Sequence, residues 1–222
     1  MRYYVYISDS KLDMLAGQIK KSIVGRIAGE LKLDLKVLSV ALTEKPSDET
    51  RYAKLQLVDE FLTTSGGVGS VDSPRSYVRA TMTMRWGPYV RNTLRGGPST
   101  GLIVFGGQTD TTYVGLGGSE HHLIGGRRGE STPTAWSASP YLYAALAPDL
   151  GEEPPREILD EPGRWEDLYQ DKRTMLLATL RAIQSMKGPA QRLEFLAKRV
   201  LDGPVGSDLV ILGTPIYVAQ SD

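Results

Sequence analysis

The chain of 222 residues contains no cysteine. That excludes disulfides, thiol nucleophiles, Cys-ligated zinc and iron–sulfur clusters. It also lacks net charge: 26 Lys+Arg balance 26 Asp+Glu, which argues against a generic nucleic-acid coat or a polybasic membrane binder. No apolar run reaches the ~20 residues of a membrane helix. The N-terminal stretch Met1–Ser8 is too short for a signal-peptide core and is followed by no cleavage site. A cytoplasmic protein with no membrane association is the expectation. Histidine occurs only twice, at adjacent positions, and no lysine falls between Lys54 and Lys172.

What is present reads as one α+β domain over residues 1–222. Its sheet is mostly antiparallel, of about six to seven strands, with N-terminal and C-terminal helices packed on it. Arg2–Ser8 is aromatic and β-branched and reads as a first strand. Asp9 or Ser10 caps a helix that carries Leu12, Leu15, Ile19, Ile23 and Ile27. Leu31 to Thr43 alternates as a half-buried strand. A helix opened by Pro46-Ser47-Asp48 buries Tyr52, Leu55, Val58 and Leu62. A flexible loop follows at 65–70. Short strands are expected at 78–85, 101–105, 111–116 and 120–124, with turns supplied by Gly106, Gly107, Gly117 and Gly118. Short connections make them antiparallel. Beyond Gly129 the pattern predicts a short helix at 141–147 and a proline-rich acidic loop at 148–163. A long helix at about 165–186 follows, burying Leu168, Leu176, Leu180 and Ile183. Pro189 then starts a helix carrying Leu193, Leu196 and Val200, ended by Gly203-Pro204. Leu209–Val218 closes the chain as a strand, with Pro215 at an edge or a bulge. The first and last strands are candidates for neighbours.

The balanced charge hides a split. Between Arg75 and Gly129 seven arginines (75, 79, 85, 91, 95, 127 and 128) face only Asp110 and Glu120, whereas nine acids face two arginines from Asp149 to Asp171. One reading is an anion site, since the guanidinium fork binds phosphate or carboxylate bidentately. The other is pairing of the basic strands with the acidic loop at about 148–167, within one molecule or between copies.

Half of the 24 glycines lie between Gly87 and Gly129, and glycine admits positive φ or the close approach of a ligand. The densest segment, 115–128, also holds Ser119, Glu120, His121, His122, Arg127 and Arg128. Its glycine spacing fails the dinucleotide fingerprint, because Glu120 occupies the last glycine position and a strand is expected to follow. No phosphate-loop string exists. Gly97-Pro98-Ser99-Thr100-Gly101 has the hydrolase-elbow spacing, but a strand is expected where that motif needs a helix. On a strand His121 and His122 would point to opposite faces and could not chelate one metal, so neither a metal nor a cofactor is expected. Either histidine could act as a general base oriented by Glu120 or Asp110. Arg85-Trp86 past a strand could stack a base or sugar.

Three stretches resemble an uncharacterised bacterial domain family of unknown function, found mainly in actinomycetes. They are Tyr3-Tyr4-Val5-Tyr6-Ile7-Ser8-Asp9-Ser10-Lys11-Leu12-Asp13-Met14-Leu15, then Leu116–Gly125 with its Gly-Gly-Ser-x-His-x-x-Gly centre. The third is Gln191–Arg199 together with Leu212-Gly213-Thr214-Pro215-Ile216-Tyr217-Val218. Their order implies one complete domain. The resemblance implies a sensor or adaptor near conflict or signalling modules and assigns no residue a role.

The leading expectation is a non-catalytic module that binds a small anionic, nucleotide-like ligand through Arg85, Trp86, Ser119, His121, His122, Arg127 and Arg128. One alternative is a phosphate-ester hydrolase or nuclease, with His121 or His122 as base, Glu120 as orienter or acid, and Arg127 or Arg128 stabilising charge. Another is a homo-oligomer or partner-binding protein assembled through the acidic loop at 148–167.

Overall fold

The computed structural model describes residues 2–30, 48–88, 101–125 and 172–221. The strand expected at 31–43, the helix at 141–147, the acidic loop and the start of the long helix lie outside them. In chain order the elements are β1 (Tyr3–Ile7), α1 (Asp9–Ala16), α2 (Lys21–Glu30), α3 (Asp48–Thr64), β2 (Val68–Gly69) and β3 (Tyr77–Pro88). They continue with β4 (Leu102–Gln108), β5 (Thr112–Ser119), a 3-10 turn (Glu120–His122), α4 (Lys172–Ser185), β6 (Gln191–Val205) and β7 (Asp208–Gln220).

Seven strands form one sheet. β3 pairs antiparallel with β4 and with β6, β4 antiparallel with β5, β5 parallel with β7, and β7 antiparallel with β6. These pairings close a barrel-like ring of five strands, leaving little free edge. β1 joins antiparallel to the C-terminal half of β7, as expected from the sequence. β2 adds a short parallel pair to β3, where a flexible loop was expected. Alternation along the strands fills the ring with Val78, Met82, Met84, Ile103, Phe105, Val114, Leu116, Leu193, Phe195 and Val218.

Helices cover two outer faces. α1, α2 and α3 lie over Ile7, Leu196, Ile216, Tyr217 and Ala219. α4 lies over Leu102, Val104 and Leu212. The expected N-terminal helix is in fact two helices: α1 ends at Ala16, and the chain then tightens into i→i−3 bonds, Gln18 N–H to Leu15 O and Ile19 N–H to Ala16 O, before α2 begins. In α3 Leu55, Val58 and Leu62 are buried as expected, but Tyr52 remains 39% exposed. α4 buries Met175, Leu176, Ala178, Thr179, Ala182 and Ile183. Leu180 sits only half-buried beside that stripe.

Two segments depart from expectation for a physical reason. Residues 191–205 form β6, not a helix. Leu193, Phe195 and Ala197 enter the ring while Leu196 packs beneath the N-terminal helices. Burial on both faces erased the period-two signal and left an apparent helical spacing. Residues 120–122 are a 3-10 turn, not a strand. The glycines expected to make turns at 106, 107, 117 and 118 lie inside β4 and β5. Gly106 and Gly115 face α4: a Cβ on Gly115 would stand 2.7 Å from Thr179 Cγ2, and one on Gly106 2.5 Å from Met186 Sδ. They are a floor for a close-packed helix.

Candidate functional site

Three backbone devices bring the N-terminus of α1 and the histidine turn together. In β7, Pro215 pairs with Ala197 and Tyr217 with Leu196, so Ile216 is the extra residue of a bulge. The bulge suits a proline, which has no N–H to contribute to the ladder. It offers the Ile216 carbonyl, which accepts from Ser8 N–H at 2.8 Å and so fixes the start of α1. On the other side Ile124 N–H donates to Val5 O at 3.0 Å, and Tyr6 bridges Leu123. The turn itself is capped by Ser119, whose hydroxyl accepts from His121 N–H at 3.3 Å.

α1 is held from behind by α3. Arg51, buried, donates to both carboxylate oxygens of Asp9 at 2.8 and 3.0 Å. Buried Lys54 pairs with Asp13. The acidic side chains of α1 are thus engaged by α3, and Lys11 lies on the side of the histidine turn. Ser8 is fully buried at the helix N-cap, but its hydroxyl makes no capping bond to the first turn. Instead it accepts from Lys11 Nζ at 3.3 Å and lies 3.4 Å from Ser10 Oγ. Ser10 Oγ in turn lies 3.4 Å from His122 Nε2. An amine, two hydroxyls and an imidazole therefore form one chain of long hydrogen bonds.

The electrostatics of this cluster are basic. Burial first, then the charge of Lys198 on β6, pushes the half-buried Lys11 ammonium down to about 8. Among the described residues no carboxylate offsets those two effects. His122 is pushed down to about 4 by burial, then by the charge of Lys11, against an upward pull from Asp9, with His121 and Arg51 adding lesser effects in the lowering direction. Imidazole is therefore neutral at physiological pH. Among the described residues, the buried Nδ1 atoms of both histidines and the Thr214 hydroxyl, cross-strand from Lys198, have no hydrogen-bond partner.

The residues singled out from the sequence divide. Ser119, His121 and His122 lie here, with the two imidazole rings 5.6 Å apart, centroid to centroid. A shared turn, not opposite faces of a strand, sets their geometry. Glu120 sits in the same turn, its N–H donating to Gly101 O at 2.8 Å. Arg85 and Trp86 are neighbours on β3 and face opposite ways. Arg85 is exposed, its Nε donating to Gly188 O at 3.1 Å. Trp86 enters the ring, donates from Nε1 to Gln191 Oε1 at 3.0 Å and stacks on Phe105. Phe105 meets Tyr6 edge-on, and Tyr6 meets His122 edge-on, both at 5.8 Å. Trp86 thus reaches the histidines only through the aromatic interior. Arg127, Arg128 and the elbow-like residues 97–100 lie outside the described residues.

Sequence reasoning did not single out Ser8, Ser10, Lys11, Lys198 or Thr214. A signal existed: all five fall inside the stretches that carried the family resemblance, so those distant stretches meet at one place. A small apolar seam under α4, lined by Val104, Leu116, Ile183 and Leu212, is a packing gap away from this chemistry.

The model of one family, DUF7019, described as a family of unknown function, matches residues 2–222. No curated protein and no solved structure matches.

Proposed function

Because the chain belongs to the DUF7019 family of unknown function, the functional reading has to come from the geometry, and we propose that the protein is a binding module for a small oxyanion. The site is the cluster of Lys11, Ser10, His122 and Lys198, with Ser119 and His121 shaping the turn. One observation carries this reading: Lys11, His122 and Lys198 converge while Asp9, the carboxylate that acts on His122, is already held by Arg51. Such a cluster is stabilised by an incoming negative charge and by little else in reach. The first turn of α1, whose N-cap hydroxyl is engaged elsewhere, adds its dipole in the same sense. A cytoplasmic sensor or adaptor is the role that fits a site of this kind without a complete catalytic motif.

Titration with inorganic phosphate, followed by imidazole resonances, tests it. Bound phosphate should raise the protonation midpoint of His122, and Lys11→Met or Lys198→Met should weaken binding at least tenfold, about 1.4 kcal/mol. No shift of either imidazole at millimolar phosphate would rule the reading out. The hydrolase reading retains one specific observation, a neutral His122 whose Nε2 faces the Ser10 hydroxyl. Phosphate-ester turnover that disappears in His122→Ala would favour it over binding alone.

A further inference from the structure

We propose that Lys11 is a nucleophilic lysine that forms an imine with the carbonyl carbon of a small anionic aldehyde or ketone, such as a 2-oxo acid. This deepens the oxyanion reading and rests on it for the ligand's negative charge.

Two features of geometry carry the inference. The first is placement. Lys11 is half-buried at the start of α1 and shares its surroundings with Lys198 of β6. Desolvation beside a second cation is how a lysine amine is kept unprotonated enough to attack carbonyls. Ser8 of its own segment accepts from the amine and Lys198 of β6 acts on it, while His122, which feels the charge of Lys11, is itself acted on by Asp9, His121 and Arg51. Asp9 is bound by Arg51 and does not neutralise the amine. The second is the chain Lys11 Nζ, Ser8 Oγ, Ser10 Oγ, His122 Nε2, with steps of 3.3, 3.4 and 3.4 Å. It ends on an imidazole that burial keeps neutral and able to accept a proton. An amine linked by two hydroxyls to a proton acceptor has more than a salt bridge needs.

The chemistry balances without a co-reactant. The nitrogen lone pair attacks the carbonyl carbon, and the carbonyl π pair moves to oxygen. A proton leaves nitrogen along the hydroxyl chain to His122, and the same chain returns a proton to oxygen to give the carbinolamine. Loss of that hydroxyl as water, with the second nitrogen proton, forms the C=N bond. Nothing is oxidised or reduced. Lys198 faces the anionic substituent of the carbonyl compound.

The test is reductive trapping of the full chain near neutral pH with glyoxylate and cyanoborohydride, read by peptide mass spectrometry. Lys11 should be converted to carboxymethyl-lysine on the order of tenfold faster than the exposed Lys20 and Lys187. His122→Ala should slow that conversion, and Lys11→Arg should abolish it. Propionaldehyde, a neutral reagent, separates the two readings. If Lys11 reacts no faster than Lys20 and Lys187 with either aldehyde while phosphate still moves the imidazoles, the imine proposal is overturned and the oxyanion site stands. If Lys11 is fast with propionaldehyde, glyoxylate has no advantage and phosphate moves nothing, the nucleophilic lysine is supported and the oxyanion reading falls.

Discussion

Tyr6 and Gly118 fit by subtraction: the phenol of Tyr6, fully buried, occupies the space a side chain on Gly118 would need. A Cβ there would stand 2.7 Å from Tyr6 Cζ, closer than real carbon contacts come. The fit seats β1 against the end of β5, directly before the histidine turn. Gly118→Ala should therefore cost about 1–3 kcal/mol through overpacking. It should also move the imidazole resonances of His121 and His122. In a double-mutant cycle with Tyr6→Leu, which vacates the space, the two costs should add to less than their sum. Denaturant unfolding of the four proteins measures the coupling, and strict additivity would show that the two residues do not share that space.

The α+β class and the antiparallel β3–β4–β5 run were legible, because each rests on local alternation or short connections, whereas periodicity could name the first and last strands only as candidate neighbours and the structure pairs them. β6 was not legible, since burial on both faces removes alternation, as Leu193, Phe195 and Leu196 show. The glycine-rich centre misled for a related reason. Glycine for a turn and glycine for helix contact look identical in one dimension, and Gly106 and Gly115 belong to the second kind. At the site, His121 and His122 stood out by rarity. Lys11 did not, because nothing local to it says that Lys198, far along the chain, shares its surroundings.

His122 makes the protein acid-sensitive in a defined window. Its folded midpoint of about 4 lies below the ordinary 6.5. Between those values the unfolded chain binds the extra proton, so stability falls as pH drops from 6.5 towards 4. Allowing for partial exposure, the loss should be about 1–2 kcal/mol. His122→Gln should flatten this part of the stability profile, which thermal melts across that range would show. An unchanged slope in the variant would assign the acid sensitivity to other groups.

The contact of α4 with β5 leaves no room above Gly115, where Thr179 and Ile183 of the helix press on the strand. Gly115→Val should lift α4 and cost about 2–4 kcal/mol, since the helix can neither bend nor find another floor. Thr179→Ala, which also frees the Met175 carbonyl from the Thr179 hydroxyl, should recover part of that loss in the double variant. Hydrogen exchange should localise the damage to 172–185 and leave the 9–16 helix protected. Equal loss of protection in both helices would show that the two covers of the barrel unfold as one unit.

Lys11 should trade stability for function. Its folded midpoint, about 8, lies below the ordinary 10.5. Below both values the ammonium is present in folded and unfolded chains alike, and the folded state bears the full disadvantage of holding it beside Lys198. As pH rises from 8 towards 10.5 the folded chain has shed a proton that the unfolded chain still binds, so stability rises through that window. Lys11→Met keeps the aliphatic stem and removes the charge. It should stabilise the protein at neutral pH by about 1–2 kcal/mol, discounted for partial exposure, and eliminate the rise above pH 8. Phosphate should stabilise the wild-type chain and leave Lys11→Met unmoved, so that the gap between them closes as the anion is added. A variant less stable than wild type would mean that the bond to Ser8 outweighs the repulsion, and that Lys11 holds α1 in place instead of waiting for a ligand.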